Sequence, residues 1–191
     1  MSFLSEVLSG SGAKLLKFDG KAGYYVARGS DGNYNNQEFV ADIYGAKGGY
    51  IKFGEKGQPP ERQLGSIFPK DEAPLRSSLG NTDKGEWPPG RFGDEPEDPW
   101  TQVIELPLRH KDSGDAFLFT ASSKTSLGAA KDFLGSCRRL PEGFEPIVRL
   151  GVSSFKSRYG LVKKPQLIVT GKMEIEGGDN GHPFDDEIPF A

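Results

Sequence analysis

The chain has 191 residues and a formal net charge of −3, with 26 glycines, 14 prolines and a single cysteine. Hydrophobic residues make up 35% of it, and together with so many turn-forming residues this favours short strands and loops over a helical bundle. One cysteine excludes an intrachain disulfide and a zinc site made of several cysteines. The N-terminus lacks the basic start and apolar core of a signal peptide, and no run has the length that crosses a membrane, so we expect no membrane association.

The first ordered region, residues 13–54, has the pattern of a β-meander. Aromatic and β-branched residues alternate with polar ones, which is typical of strands with one covered face. Glycine-containing connections separate the segments. Strands are predicted at residues 13–18, 23–28, 38–44 and 49–53.

The next region, residues 55–100, is rich in proline and acidic residues and shows no periodicity. It holds eight of the prolines, and residues 71–100 alone carry eight acidic and three basic side chains. This composition predicts a long, partly disordered loop insertion. Trp87 and Trp100 predict that some of it packs on the fold, because large aromatic residues are rare in disordered segments.

Periodicity returns in the second half of the chain. Leu127, Phe133 and Cys137 belong to a row of apolar residues with helical spacing, and Ser126 is the predicted N-cap of this helix. Strands are predicted at residues 101–109, 116–121, 146–155 and 165–172.

The order of these elements indicates a fold class. One helix before the last two strands is also found in the five-stranded oligonucleotide-binding barrel. We therefore predict a mainly β fold, namely an oligonucleotide-binding-like barrel with extra strands, one helix and a long loop insertion. This domain would cover residues 1–173, followed by a disordered acidic tail over residues 174–191.

The end of the predicted domain combines basic and aromatic residues. Residues 138–172 hold eight basic and two acidic side chains. Cations neutralise backbone phosphates, and aromatic rings stack on unpaired bases at about 1–3 kcal/mol per base. The pattern predicts a contact with single-stranded nucleic acid; the alternative is a solvated hairpin whose charges serve solubility. The predicted contact residues are Arg149, Phe155, Lys156, Arg158, Tyr159, Lys163 and Lys164.

The meander offers a second set of candidate contacts. Tyrosine is more suited than phenylalanine to face a ligand, because its hydroxyl tolerates water. For any single ring the alternative is the barrel core, since alternation sends about half of the side chains to one face. The stacking candidates are Tyr24, Tyr34 and Tyr50, and the candidate phosphate contacts are Arg28, Lys47 and Lys52.

The tail, residues 174–191, carries six acidic side chains and no basic ones. Such a glycine-containing acidic segment is predicted to stay unfolded by itself and to act as a flexible protein-interaction tail. Exposed apolar groups after acidic ones suit a hydrophobic pocket with a basic rim. The predicted partner-binding residues are Asp185, Asp186, Glu187, Ile188, Pro189 and Phe190.

This acidic run ending in Ile-Pro-Phe resembles the C-terminal tip of bacterial single-stranded DNA-binding proteins. The resemblance implies a protein that coats single-stranded DNA and recruits replication, recombination and repair proteins through its tip. It also implies a cytoplasmic location, in the host cytoplasm or nucleoid if the chain is encoded by a bacteriophage. The chain departs from the family pattern at Ala191, which places the terminal carboxylate one residue beyond Phe190. A homo-oligomeric state is compatible with this interpretation.

Enzymatic interpretations find little support in the residues. The chain contains no nucleophile elbow, P-loop or zinc-protease motif, and His110 and His182 are predicted in a turn and in the tail. Residues 31–36 match only the start of a calcium loop, because asparagine stands where that loop needs glycine. We therefore expect no catalytic site, no metal and no cofactor. The alternative function is a β-rich phage structural or assembly protein without nucleic-acid binding.

Overall fold

The computed structural model describes residues 12–54, 58–90 and 93–175. These residues form nine strands and one α-helix, so the predicted mainly β composition is confirmed for this part of the chain. The elements are β1 (Lys14–Asp19), β2 (Tyr24–Ala27), β3 (Glu38–Ala41), β4 (Lys47–Lys52), β5 (Glu61–Ser66), β6 (Trp100–His110), β7 (Ala116–Ala121), α1 (Lys124–Cys137), β8 (Phe144–Ser157) and β9 (Gly160–Glu174).

The nine strands form one mixed sheet whose main path runs β2-β1-β7-β6-β3-β8-β9. Strands β1 and β7 pair in parallel, and the other pairs are antiparallel. Strand β4 pairs with the first half of β6 and carries β5 on its other edge, so these two strands branch from the path. Within the described residues no ladder joins β2 to β9. The sheet is therefore not closed, and the predicted oligonucleotide-binding barrel is not confirmed.

The two end strands of this open sheet nevertheless meet through side chains. The hydroxyl of Tyr25 on β2 lies 3.0 Å from the carbonyl oxygens of both Gly151 on β8 and Gln166 on β9, and donates to them. The ammonium of Lys163 on β9 donates to the carbonyl oxygen of Ala22 at 3.0 Å. Hydrogen bonds from side chains to backbone thus take the place of a strand ladder between the ends of the sheet.

The hydrophobic core joins one face of the sheet to one face of α1. Its aromatic centre includes Tyr25, Phe39, Phe117 and Phe119, all with less than 2% exposure. The apolar side of α1 closes this core, and its predicted buried face is confirmed. The helix residues in the core are Ala130, Phe133, Leu134 and Cys137.

The start of α1 differs from the prediction by three residues. Ser123, not Ser126, is the N-cap, and Ser126 is the third helical residue. The Ser123 hydroxyl accepts the amide hydrogen of Ser126 while the Ser126 hydroxyl accepts that of Ser123, which completes a capping box. Both serines have capping chemistry, and the reciprocal pair forms only when the helix begins at the earlier one.

The insertion at residues 55–100 is more ordered than predicted, although residues 55–57 and 91–92 lie outside the described residues. It contains β5 and two short 3₁₀ turns, at Arg76–Ser78 and Lys84–Glu86. Strand β5 is an exposed edge strand, so its sequence lacks the apolar alternation that burial imposes. Trp100 is buried, and the Trp87 indole donates to the Asn81 carbonyl oxygen at 2.7 Å.

The last two strands extend beyond their predicted limits. Strand β9 ends at Glu174, one residue into the range predicted as tail, and the Ile175 amide donates to the Gly143 carbonyl oxygen at 2.8 Å.

No helix within residues 12–54, 58–90 and 93–175 combines the length and apolar character that crossing a membrane requires.

Candidate nucleic-acid interface

Strands β8 and β9 form a long hairpin whose outer half extends past the rest of the sheet. Strand β3 and the residues just before it bond to β8 only as far as Leu150. From there the two strands pair with each other until Ser157 faces Gly160. We call residues 153–164 the distal hairpin. The predicted strands ended at residue 155 and resumed at residue 165, whereas the observed strands continue to a two-residue turn at Arg158 and Tyr159.

The turn itself is held by short-range hydrogen bonds. The Ser157 hydroxyl accepts from the Tyr159 amide at 3.1 Å and donates to the Gly160 carbonyl oxygen at 3.0 Å. Gly160 has φ = 112°, a conformation that residues with a Cβ seldom adopt. The turn therefore presents the side chains of Arg158 and Tyr159 at a defined tip.

Aromatic and apolar side chains are exposed along the distal hairpin. Tyr159 is 83% exposed, Leu161 68% and Phe155 44%. The guanidinium carbon of Arg158 lies 4.7 Å from the centroid of the Tyr159 ring, which is cation–π geometry. One face of this ring thus contacts a cation, and the ring as a whole remains open to a ligand.

The cations of the distal hairpin have no acidic neighbour within it. Residues 153–164 contain four basic and no acidic side chains. Lys156, Arg158 and Lys164 are exposed, and none of them belongs to an ion pair among the described residues. Strand pairing places Phe155 and Lys164 on one face of the hairpin and Lys156 on the other. Both faces therefore carry positive charge.

Lys163 has a structural contact that the sequence did not indicate. Besides its hydrogen bond to Ala22, its aliphatic stem packs on Gly23, where an added Cβ would lie 2.1 Å from the Lys163 Cδ. Lys163 thus fixes the distal hairpin against the β1–β2 turn. Tyr24, the residue after Gly23, is 37% exposed and is the predicted meander residue nearest in the chain to this junction.

The other predicted meander residues lie away from the distal hairpin or are engaged in packing. The Tyr34 ring packs edge-on against Phe117 with centroids 5.1 Å apart, and it belongs to the margin of the core. Arg28 is exposed just after β2. The remaining three, on β4, are Lys47, which is exposed, Tyr50, which lines a cleft, and Lys52, whose ammonium lies 3.2 Å from the Asn81 side-chain oxygen.

The register explains why the β4 residues and the distal hairpin are apart. Strand β4 pairs with residues 100–105 of β6, whereas β3 pairs with residues 108–110 at its opposite end. The distal hairpin continues beyond the start of β3, and so beyond the last residues of β6. The β4 residues and the distal hairpin therefore lie at opposite ends of β6.

Arg149 lies on the outer face of β8 beside an acidic residue. It pairs in register with Glu38. Lys111 donates to one oxygen of Glu38 at 2.6 Å and Thr170 to the other at 2.8 Å. The hydrogen bond from Lys111, followed by that from Thr170, holds the pKa of Glu38 below its usual range. An ionised Glu38 beside Arg149 reduces the attraction of this arginine for phosphate.

His110 is at the end of β6, not in a turn. The Ser113 amide donates to its Nδ1 at 3.1 Å, so its Nε2 carries the proton and donates to the Gln37 side-chain oxygen at 2.9 Å. Both ring nitrogens thus have structural partners. Among the described residues, no group of three or more histidine, cysteine, aspartate and glutamate side chains is placed to hold a metal ion.

A groove beside the distal hairpin was not predicted from the sequence. It has a volume of about 600 Å³ and lies between α1 and β9, with Phe155 and Lys164 among its lining residues. The helix side contributes Lys124, Gly128 and Asp132. No local signal marks these residues, because the groove forms only where α1 and β9 pack together.

The predicted tail residues Asp185, Asp186, Glu187, Ile188, Pro189 and Phe190 lie outside the described residues. No protein-family model matches the chain, and neither a curated protein nor a solved structure matches it. The interpretation of the site therefore depends on its own geometry and chemistry.

Proposed function

We propose that the chain is a non-enzymatic single-stranded DNA-binding protein and that the distal hairpin contacts the strand. The observation that carries this proposal is the coincidence of exposed rings and unpaired cations on one projecting hairpin. Phe155 and Tyr159 offer ring faces to bases, and Lys156, Arg158 and Lys164 offer charge to phosphates. Stacking of this kind requires bases that are not paired in a duplex, which favours single strands.

The order of the elements supports the proposal. A helix before the last two strands is the order found in oligonucleotide-binding barrels, and we propose that the open sheet is a divergent form of that fold. In such barrels the connection between the last two strands belongs to the binding surface. Here that connection is the tip of the distal hairpin. Tyr24 extends this surface across the β1–β2 turn, and Lys163 positions it.

The acidic tail completes the proposed function. Residues 185–190 would recruit replication, recombination and repair proteins, as the resemblance of this tip to that of bacterial single-stranded DNA-binding proteins implies. A bacteriophage-encoded protein acting in the host cytoplasm fits this division of labour. Deletion of residues 185–191 should leave or improve affinity for DNA and abolish capture of such partners; loss of DNA binding on this truncation would contradict the division.

The direct test is fluorescence anisotropy of labelled oligo-dT titrated with the full chain at several salt concentrations. Tyr159→Ala and Phe155→Ala should each weaken binding about 5- to 150-fold, which corresponds to one lost stacking contact. A matched control is Phe53→Ala, because Phe53 is also an exposed ring, at 67%, but follows β4. Binding without preference for single strands over duplex would refute the proposal.

The contribution of the hairpin cations to DNA binding is measured by the salt dependence of the affinity. For single strands, log K falls with log [salt] by about 0.7 per phosphate contact. The double variant Lys156→Ala and Arg158→Ala should therefore reduce the slope by about 1.4. Lys47→Ala, which removes an exposed cation on β4, should leave the slope unchanged. Equal effects of the hairpin and β4 variants would mean that binding is diffuse.

A structural or assembly role is the second candidate, because the exposed apolar side chains of β8 and β9 also suit self-association. Besides the rings, Leu161 and Val169 are 68% and 41% exposed. This function predicts large homo-oligomers in light scattering and no salt-dependent binding of oligonucleotides. The same anisotropy series therefore separates the two candidates.

A further inference from the structure

We propose that the groove between α1 and β9 is a second contact for the DNA strand, which enters it from the distal hairpin. This inference rests on the proposed function and assigns a path to the bound strand. The groove and the distal hairpin are continuous, because Phe155 and Lys164 belong to both. A base stacked on Phe155 would stand at the groove entrance, and the next phosphates would follow its walls.

The dimensions of the groove suit a short run of nucleotides. Its β9 wall runs from Lys164 to Val169, five steps of about 3.3 Å, or about 17 Å. Its α1 wall runs from Lys124 to Ser136, twelve steps of about 1.5 Å, or about 18 Å. At the stacked spacing of about 3.4 Å per nucleotide, this length holds at most about five nucleotides, and fewer when the strand is stretched.

The helix wall is open because its residues are small. Gly128 lines the groove, and a Cβ added there would meet no atom within 4 Å. Thr125, Ala129 and Ser136 are its other small residues on this side. A larger side chain at position 128 would therefore point into free space and occupy the groove without disturbing the packing of α1.

The charges at the groove favour a polyanion. Lys124 and Lys164 are exposed cations that belong to no ion pair among the described residues. Asp132 is the one acidic residue among the described residues of the lining. Two unpaired cations against a single acid suit the phosphate backbone of a strand, while Ile168 gives the lining an apolar surface for bases.

An added peptide strand is a poorer occupant, although β9 is an edge strand. Proline cannot donate to the ladder with β8, so the nitrogen of Pro165 faces the outer edge and removes a donor there. Lysines at positions 163, 164 and 172 also discourage edge pairing. These are the features by which proteins block the addition of another strand.

The test is a matched pair of glycine substitutions in α1, namely Gly128→Glu and Gly135→Glu. A Cβ at Gly135 also meets no atom within 4 Å, but Gly135 lines the cleft near β4 instead. Both variants change the net charge equally, and both replace glycine by a better helix former, so each should fold. Thermal unfolding of both variants checks this point.

The measurement is fluorescence anisotropy with oligo-dT of increasing length, from about 4 to 20 nucleotides. This range includes the about 4–16 nucleotides that one oligonucleotide-binding fold occupies. The wild-type chain should gain affinity once an oligonucleotide reaches both the distal hairpin and the groove. Gly128→Glu should remove this gain, with a loss of about tenfold or more for the longer oligonucleotides, and Gly135→Glu should retain it. Asp132→Asn should tighten binding of the longer oligonucleotides.

The outcomes distinguish the groove from the proposed function. If Tyr159→Ala weakens binding but Gly128→Glu and Gly135→Glu behave alike, the groove is refuted and the distal hairpin remains the site. An equal loss from Gly128→Glu at every length would overturn the sequential path. If the wild-type chain binds no oligo-dT, the proposed function itself fails.

Discussion

The hydroxyl of Tyr25 joins the two ends of the open sheet, and its removal gives the sharpest test of the fold. Tyr25→Phe deletes one oxygen and keeps the buried ring, which packs against Phe18 at 5.1 Å between centroids. The hydrogen bond to the Gly151 and Gln166 carbonyls is lost. A buried neutral hydrogen bond contributes about 0.5–1.5 kcal/mol, so we expect a loss of about 1 kcal/mol.

Urea unfolding measures this loss, and a thermal melt should show a Tm lower by about 2–4 °C for a chain of this size. The control is Tyr24→Phe, because Tyr24 lies on the same strand but its side chain is 37% exposed. Its stability should change by less than about 0.5 kcal/mol. If Tyr25→Phe is as stable as the control, the contact between β2 and the β8–β9 hairpin does not stabilise the fold.

The same hydroxyl makes a pH-dependent prediction. Burial raises the pKa of Tyr25 above its ordinary value of 10.0. Above that ordinary value the unfolded chain releases the proton while the folded chain keeps it, so stability is present below about pH 10 and is lost as the pH rises. Tyr25→Phe lacks this loss. The stability difference between wild type and variant should therefore shrink from pH 9 to pH 11, and a constant difference would contradict the burial argument.

Three further predictions concern other parts of the fold. Arg76→Ala should destabilise the insertion by about 1 kcal/mol. The value is modest because the ion pair of Arg76 with Asp98 is still in contact with water, at 22% and 30% side-chain exposure. Burial would raise the pKa of Asp98, but hydrogen bonds from Arg76 and the Trp100 amide hold it low. The stabilisation by Arg76 should therefore be present at neutral pH and fade as the pH falls below about 4. Thermal melts of wild type and variant at pH 7 and pH 3 measure this change. Burial raises the pKa of the Cys137 thiol to about 11, so it should react with a thiol reagent at pH 8 only as the chain unfolds, and rapid labelling of the native protein would disprove this. Gly49→Ala should lower the free energy of unfolding by several kcal/mol, because its Cβ would lie 2.0 Å from a β5 carbonyl oxygen. Gly135→Ala should raise the free energy of unfolding by up to about 1 kcal/mol, because its Cβ would meet no atom within 4 Å. Equal urea midpoints for the two variants would refute this contrast.

Local patterns predicted the elements well wherever one face of an element is buried. The strand at residues 116–121 was predicted with its observed limits, because its residues alternate between buried and half-buried. The apolar face of α1 was also predicted, since Ala130, Phe133 and Cys137 recur with the helical period. Strand β5 was not predicted, because it is a largely exposed edge strand and its residues do not need to alternate between apolar and polar.

The candidate site was predicted only in part. Phe155, Lys156, Arg158 and Tyr159 are neighbours in the chain, so composition was sufficient to propose them together. Tyr34 satisfied the same criteria as Tyr24, but its ring packs on Phe117, which no local pattern distinguishes from exposure.

The sequence by itself determined that the chain is mainly β, that one helix is buried on a single face, and that a basic, aromatic segment precedes an acidic end. The tertiary structure decided that the sheet stays open, that Lys163 braces the distal hairpin, and that a groove forms beside it. A periodic pattern indicates that a side chain is buried, but it does not indicate which residues bury it. The Tyr25 hydroxyl bonds to partners 126 and 141 residues away, and such contacts depend on the path of the whole chain.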